Sequence, residues 1–513
     1  MNKSCQAALA CSLSPQFLFA TPLNMKIYLL ALCLSVLLSA PLWAAETRLP
    51  NVVMIVTDDM GYADLSSQGA KDFATPNLDH LAKQGTRFTD FYVAQPVCTA
   101  SRAAFLSGCY PNRVSLQGAL NHTSKNGIHP DEYLLPEMFK DMGYATAGMG
   151  KWHLGTVIDF WPTRNGFDEW FGTPYSNDNT KYHPVLADEM PPFPLYEGEA
   201  VIELDPDQSM LTKRITQKAV SFIERNAERS FFLYVPHIMP HVPIFASEEF
   251  RGRTEHGLYG DVIEEVDWSI GEIMRTLDRL KLTDNTLVIF FSDNGPWPSY
   301  GEHAGSAGPF REGKLTTFEG GVRVPCIMRW PGHIPAGRVC DEPLMAIDLV
   351  PTLTKLVGGK MPSKKIDGLD ASAVLLGEKN AHSPHEALFF YGGTGLQAVR
   401  SGKWKLHFPH PYITVAGEPG KGGKPSNWGK NQAQSITQSG IEGIASRHGG
   451  RVEKIELSLF DLSSDPGETK NVAAQHPEVV ARLKKLAEPI RQELGDSLTG
   501  VEGTGIREAG WVK

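Results

Sequence analysis

Several stretches of the chain are apolar at almost every position, not at every second one. They run over Asn51–Val56, Phe231–Val235 and Leu287–Phe291. Such unbroken runs suit strands buried on both faces of a parallel sheet. Shorter apolar segments at Phe88–Val93, Ala145–Met149 and Val324–Trp330 predict further strands. Between them lie stretches with helical spacing, at Asn77–Gln84, Leu134–Met142 (closed by Gly143), Asp205–Asn226, Tyr259–Leu280 and Ile347–Leu356. Strand and helix alternate, which predicts an α/β fold with a large, mostly parallel sheet sandwiched by helices. From about Leu388 the pattern changes to short strands (Leu388–Tyr391, Gln397–Arg400, Trp404–Phe408, Leu457–Phe460) and one helix, Pro477–Leu494. This predicts a smaller C-terminal antiparallel sheet plus helix. Residues 416–450, rich in Gly, Ser, Asn and Gln, read as a mobile loop in preference to an excursion near the substrate.

Polar clusters follow the apolar runs. Asp58-Asp59 follow the first, Cys98 the second, Lys151 and His153 the third, His237 and His241 the fourth, and Asp293-Asn294 the fifth. Any one of these is consistent with a cap or a turn. Five of them at strand ends point to one site, because parallel sheets bind ligands beyond the carboxyl ends of their strands. Asp58, Asp59, Asp293 and Asn294 form an all-oxygen set that suits Ca²⁺ or Mg²⁺ and not a thiolate-bound zinc. Arg102, Lys151 and Lys314 supply fixed positive charge, and His153 and His241 are candidates for proton transfer. His237 reads as structural. Trp297 and His303 line either a substrate pocket or a solvated loop.

At 513 residues the chain has room for a large domain and a smaller one, and a net charge of -9 gives no sign of nucleic-acid binding. Met25-Lys26, the apolar run Ile27–Leu38 and the small residues up to Ala45 read as a secretory signal, with translation starting at Met25. No second run is long enough for stable membrane insertion. The expected organisation is 1–45 as upstream segment and signal peptide, 46–385 as catalytic domain and 386–513 as C-terminal subdomain. The protein is expected to be secreted or periplasmic. Four of seven cysteines lie beyond the signal, at 98, 109, 326 and 340. Cys326 and Cys340 are the nearest candidates for a bond, although spacing alone does not set a pairing.

Cys98-Thr-Ala-Ser-Arg102, continuing through Leu106-Ser107-Gly108 to Tyr110-Pro111, matches the signature C-x-[PA]-S-R. It is joined, in order, by Thr57-Asp-Asp-Met-Gly-Tyr62, Gly150-Lys-Trp-His-Leu-Gly155, Gly172-Thr-Pro-Tyr-Ser176, Pro240-His-Val-Pro243, Ser292-Asp-Asn-Gly295, the segment Gly313–Pro325, and Asp461–Val472. On these motifs the chain resembles the sulfatase family of the alkaline phosphatase superfamily, most closely its arylsulfatase A and galactosamine-6-sulfatase branch, over roughly residues 50 to 490. The resemblance implies a sulfuric ester hydrolase in which Cys98 is converted to formylglycine. A formylglycine-generating or sulfatase-maturing enzyme would then be a partner during biogenesis, and a sulfated glycan or small sulfate ester the substrate. It further implies a metal, Ca²⁺ in preference to Mg²⁺, held by Asp58, Asp59, Asp293, Asn294 and Cys98 in its converted form. Asp293 would assist the attacking hydroxyl of the hydrated aldehyde. His241, with Lys314, would protonate the leaving alcohol, and His153 would take a proton as the aldehyde reforms. Lys151 would hold Arg102 or the sulfate, and Ser176 would support the substrate. A phosphodiesterase or phosphonate hydrolase of the same superfamily, and an inactive protein that binds sulfated glycans, are the alternatives.

Overall fold

The structure is a computed structural model, and it describes residues 48–430, 433, 435 and 440–512. The expected signal segment lies outside the described residues. Ten strands make one sheet: β1 (Asn51–Thr57), β2 (Thr86–Phe88), β3 (Ala145–Lys151), β4 (Glu169–Thr173), β5 (Pro194–Glu197), β6 (Ala200–Leu204), β7 (Phe231–Pro236), β8 (Thr286–Ser292), β9 (Cys326–Arg329) and β10 (Arg338–Cys340). Their order across the sheet is β10-β2-β9-β8-β1-β7-β3-β4-β5-β6. The five central strands, β8-β1-β7-β3-β4, are all parallel, so their carboxyl ends share one edge. The flanking pairs β8–β9, β9–β2, β4–β5 and β5–β6 are antiparallel. The sheet is therefore mixed, with a parallel centre.

The unbroken apolar runs have the expected cause. In β1, Val52, Met54 and Val56 enter one core, while Val53 and Ile55 enter the other. Leu287, Ile289 and Phe291 of β8 divide from Val288 and Phe290 in the same way. Helices α1 (Pro76–Gln84), α4 (Leu211–Arg225) and α5 (Leu258–Arg279) cover the second core. Helices α2 (Cys98–Ser107), α3 (Leu135–Asp141) and α6 (Leu349–Val357) cover the first. Among the described residues no helix is long and apolar enough to cross a membrane.

The first core continues into the C-terminal region. Strands β11 (Leu388–Gly392), β12 (Gly395–Ser401), β13 (Trp404–His407) and β16 (Ser458–Asp461) form an antiparallel sheet in chain order. Leu388, Phe390, Leu396 and Leu406 of this sheet belong to that core, as do Leu483, Ala487 and Leu494 of the closing helix α8 (Pro477–Leu494).

Three details differ from the sequence reading. Phe88–Val93 is not one strand. Thr89 and Asp90 break it, with the Asp90 carboxylate paired to Arg323 at 2.5 Å and Arg400 at 2.6 Å, and only Phe91–Tyr92 resumes as a bridge to Leu344–Met345. The 416–450 stretch is not all loop. Hairpin strands β14 (His410–Val415) and β15 (Gly450–Ile455) bracket it, and helix α7 (Gly440–Arg447) precedes the second. Finally, Cys326 and Cys340 are both free and both in register with Phe88, on opposite sides of β2. Two strand spacings, roughly 9.5 Å, separate them, beyond the reach of a disulfide.

Candidate active site

The shared carboxyl edge of the five parallel strands collects the polar clusters. Asp58 and Asp59 follow β1, Asp293 and Asn294 follow β8, His237 and His241 follow β7, Lys151 ends β3 with His153 two residues on, and Ser176 follows β4. Cys98 is the first residue of α2, whose ten residues are all buried. The Arg311–Gly321 loop brings Lys314 over from the β8 side.

Arg102 lies one turn along α2 from Cys98 and is the centre of the ion network. Its Nε and Nη2 donate to Asp293 Oδ2 at 3.0 and 2.7 Å, Nη2 also to Asp58 Oδ2 at 3.3 Å, and Nη1 to the Lys151 carbonyl at 3.0 Å. Lys151 Nζ pairs with Asp58 Oδ2. Lys314 Nζ lies 2.8 Å from Asp59 Oδ1 and 3.3 Å from Cys98 Sγ. Cys98 Sγ in turn sits 3.5 Å from Asp58 Oδ1. Three carboxylates thus face three fixed cations around one small side chain, and none of the seven residues is more than 6% exposed.

That crowding sets the protonation states. Burial raises Asp58, but the fixed charges of Lys151, Arg102 and Lys314 outweigh it and hold the carboxyl well below the usual range. Burial, then Asp58, pushes the Cys98 thiol up to about 12, so an unmodified Cys98 is a neutral thiol and a poor nucleophile at pH 7. His153 and His241 are both pushed down by burial and by Lys151 and Lys314 respectively, and are neutral. Their tautomers follow from their partners. His153 Nε2 donates to the Leu120 carbonyl at 2.7 Å, leaving Nδ1 as a lone pair without a partner. His241 Nδ1 donates to the Val242 carbonyl at 2.6 Å, so Nε2 is the basic atom, 3.3 Å from Ser176 Oγ and 3.6 Å from Asp59 Oδ2.

The backbone at these positions is specialised. Asp59 and His153 have φ of 65° and 63°, a left-handed conformation that non-glycine residues adopt at a cost and that concentrates at functional sites. Gly150 is required by a close approach, since a Cβ there would sit 1.9 Å from the Pro236 carbonyl oxygen, at a φ of 138°. Gly150→Ala is expected to lower stability by at least about 2 kcal/mol in chemical denaturation, because the clash is with backbone of the neighbouring strand.

The candidate residues are brought together, with two exceptions. His237 is buried away from the cleft, 3.3 Å from Ser269 Oγ and held near 4 by burial. His303 lies against the turn at Gly423 and does not line the cleft. A cleft of about 360 Å³ opens over Cys98, lined by His153, Ser176, His241, Trp297 and Lys314. Its outer wall contains residues that the sequence reading passed over: Asp178 and Asn179 beyond β4, and Arg447 and His448 from the C-terminal region. His448 packs against Trp297 in a tilted arrangement, 4.3 Å between ring centres, and meets Tyr300 Oη at 3.0 Å. No local motif marks Arg447 or His448, because they reach the cleft only through the β14–β15 hairpin.

The ligand-capable atoms of Asp58, Asp59, Cys98 and His241 lie within 4.8 Å of one another. A parallel-sheet edge bearing buried carboxylates that can share a cation, under a pocket ringed by Lys and His, defines a hydrolase for anionic esters of the alkaline phosphatase-like fold. The sulfatase family model matches residues 50–359, and that of the C-terminal region of aryl-sulfatase matches residues 383–504. The N-acetylgalactosamine-6-sulfatase of Canis lupus familiaris is 37% identical over 481 residues, covering 90% of this chain and 88% of that protein. Arylsulfatase A of Homo sapiens is 37% identical over 478 residues, covering 88% and 90%. A sulfatase of Bacteroides thetaiotaomicron, from a locus for glycosaminoglycan metabolism, superposes with a TM-score of 0.70 at 29% identity, covering 87% of this chain and 100% of its own. The chain belongs to the sulfatase family and is a sulfuric ester hydrolase.

Proposed function

We propose that this enzyme is an exported hydrolase that releases inorganic sulfate from a sulfated sugar, with Cys98 matured to formylglycine by a dedicated maturation enzyme and with Ca²⁺, rather than Mg²⁺, at Asp58, Asp59, Asp293 and Asn294. The catalytic machinery belongs to residues 46–385, and residues 386–513 form the C-terminal subdomain that completes the cleft wall. The observation that carries the reading is the charge balance around residue 98. Three buried carboxylates offset Arg102, Lys151 and Lys314, so a divalent ion would add two positive charges, matched by one sulfate monoester anion and one ionised hydroxyl. The donor set fits such an ion: it is all oxygen, buried, and includes Asn294 Oδ1, which has no hydrogen-bond partner. Bound there, the metal would supply Lewis-acid polarisation of the sulfate and of the attacking hydroxyl.

The chain's own residues do the rest. Arg102, fixed by Asp293 and Asp58, aligns the start of α2 and so the direction of attack. Lys314 and Lys151 bear on the sulfate oxygens, where charge develops. His241 Nε2 gains proton affinity when an anion arrives beside it, and Ser176 orients it to donate to the leaving alcohol. His153 Nδ1 is held as an acceptor and is placed to remove a proton from residue 98. The sugar assignment rests on the relatives, one of which acts on N-acetylgalactosamine 6-sulfate by its name.

Ester hydrolysis should be measured on galactosamine 6-sulfate, glucosamine 6-sulfate, an aryl sulfate, and phosphate mono- and diesters. At least about 100-fold preference for a sulfated sugar over a phosphate monoester is expected, since a site balanced for one negative charge disfavours a dianion. Faster turnover of a phosphodiester would overturn the reading. Chelation of divalent metal should remove activity, and added Ca²⁺ should restore it more fully than Mg²⁺.

A further inference from the structure

The run Asp461–Val472 sends no group into the cleft. The Asp465 carboxylate folds it into a tight turn by accepting the N–H groups of Thr469 and Lys470 at 2.9 and 2.8 Å, and this turn drives Glu468 inward. Glu468 is 0% exposed. Its Oε2 accepts the backbone N–H of Glu319 at 2.6 Å, and its Oε1 meets Lys405 Nζ at 3.2 Å and His407 Nε2 at 2.8 Å. Lys405 Nζ lies 2.8 Å from Glu319 Oε1, and Glu319 Oε2 accepts the Tyr92 hydroxyl at 2.6 Å. Burial raises Glu319, but Lys405 and Arg323 outweigh it and hold it at about 2, so Glu319 is ionised.

Glu319 closes the loop that carries Lys314. The Gly320 N–H donates to the Arg311 carbonyl at 2.9 Å, so residues 311–320 form a closed lobe. Arg311 ties the base of this lobe to the same C-terminal turn, donating to the Glu468 carbonyl at 3.1 Å and the Tyr412 hydroxyl at 3.0 Å, with its guanidinium 4.1 Å above the Phe318 ring. At the tip, Lys314 N–H donates to the Pro296 carbonyl at 2.7 Å and Leu315 N–H to the Pro96 carbonyl at 2.9 Å, which puts Lys314 between Asp59 and Cys98. Within the lobe Glu312 and Leu315 hold φ of 58° and 73°, conformations that persist only where the surroundings impose them. The apolar core already joins the C-terminal sheet to the catalytic sheet, and buried ion pairs are poor net stabilisers. What this cluster adds is direction.

We propose that Glu468, with Lys405 and Glu319, is a positioning device for Lys314, through which the C-terminal region sets where that ammonium meets the sulfate group. The proposal rests on the reading of Lys314 given above. Glu468→Gln keeps the volume and the acceptor for the Glu319 N–H but removes the charge that holds Lys405. Arg311→Met loosens the base of the lobe from a half-buried position, which keeps the test open if the first variant fails to fold. With an aryl sulfate as substrate, each is expected to lower kcat about 10- to 100-fold with KM changed by less than about threefold. Each is expected to have no further effect once Lys314 is alanine, because the three act as a unit. Losses that multiply with that of Lys314→Ala, or a lowered Tm with kcat unchanged, would overturn the positioning role while leaving Lys314 in place. Full activity of Lys314→Ala would remove the role of Lys314 and this proposal with it.

Discussion

Cys98→Ala is expected to lower sulfate release by about 10⁴-fold or more, with Tm within about 2 °C of the parent. The side chain is small and its contacts are few: Sγ touches Asp58 Oδ1 and Lys314 Nζ, and removing it opens space beside the cleft without opening the core. The ion network does not depend on it, because Arg102, Lys151 and Lys314 each retain a carboxylate partner. The loss is therefore chemical, with the binding groups left in place. Sulfate ester binding, measured by inhibition or calorimetry with a non-hydrolysed anion, should survive the substitution. A variant that retained a tenth of the parent turnover would mean that another group attacks sulfur.

Arg102→Met should have the largest effect on stability. Arg102 is fully buried and serves Asp58 and Asp293 at once, so its loss leaves two buried carboxylates short of a partner. Breaking a buried pair from one side costs about 3–5 kcal/mol, read here as a shift of the denaturation midpoint. The acid limb of stability should change with it. Asp58 has a folded pKa depressed below its unfolded value, so it contributes stability that is present above about pH 4 and lost as the pH falls through the folded value. Without Arg102 that depression shrinks, and the variant should lose less of its remaining stability between about pH 4 and pH 2 than the parent does. An unchanged midpoint would mean that Lys151 alone compensates both carboxylates.

The sequence carried the parallel centre of the fold because burial on both faces leaves a plain signature: β1, β7 and β8 are apolar at nearly every position. It carried most of the inner site because Asp58-Asp59, His241 and Asp293-Asn294 follow such runs, and the parallel direction of the central strands does the gathering. It did not carry the outer wall. Arg447 and His448 follow a stretch of low-complexity composition, and only the pairing of His410–Val415 with Gly450–Ile455 returns them to the cleft. The break at Thr89-Asp90 was hidden for a related reason. An aspartate inside an apolar run reads as tolerated until Arg323 and Arg400, far along the chain, are seen to pair with it. The left-handed backbone at Asp59 and His153 was equally silent, since nothing in the residue type requires it.

The central claim is that residue 98 acts as formylglycine and not as a thiol. Mass spectrometry of the tryptic peptide Phe88–Arg102, from enzyme made in a host that carries the maturation machinery, tests this most directly. The peptide is predicted to be lighter by about 18 Da than the cysteine form, in a fraction that tracks specific activity across preparations. A fully active preparation whose peptide carries an unmodified thiol would contradict the account.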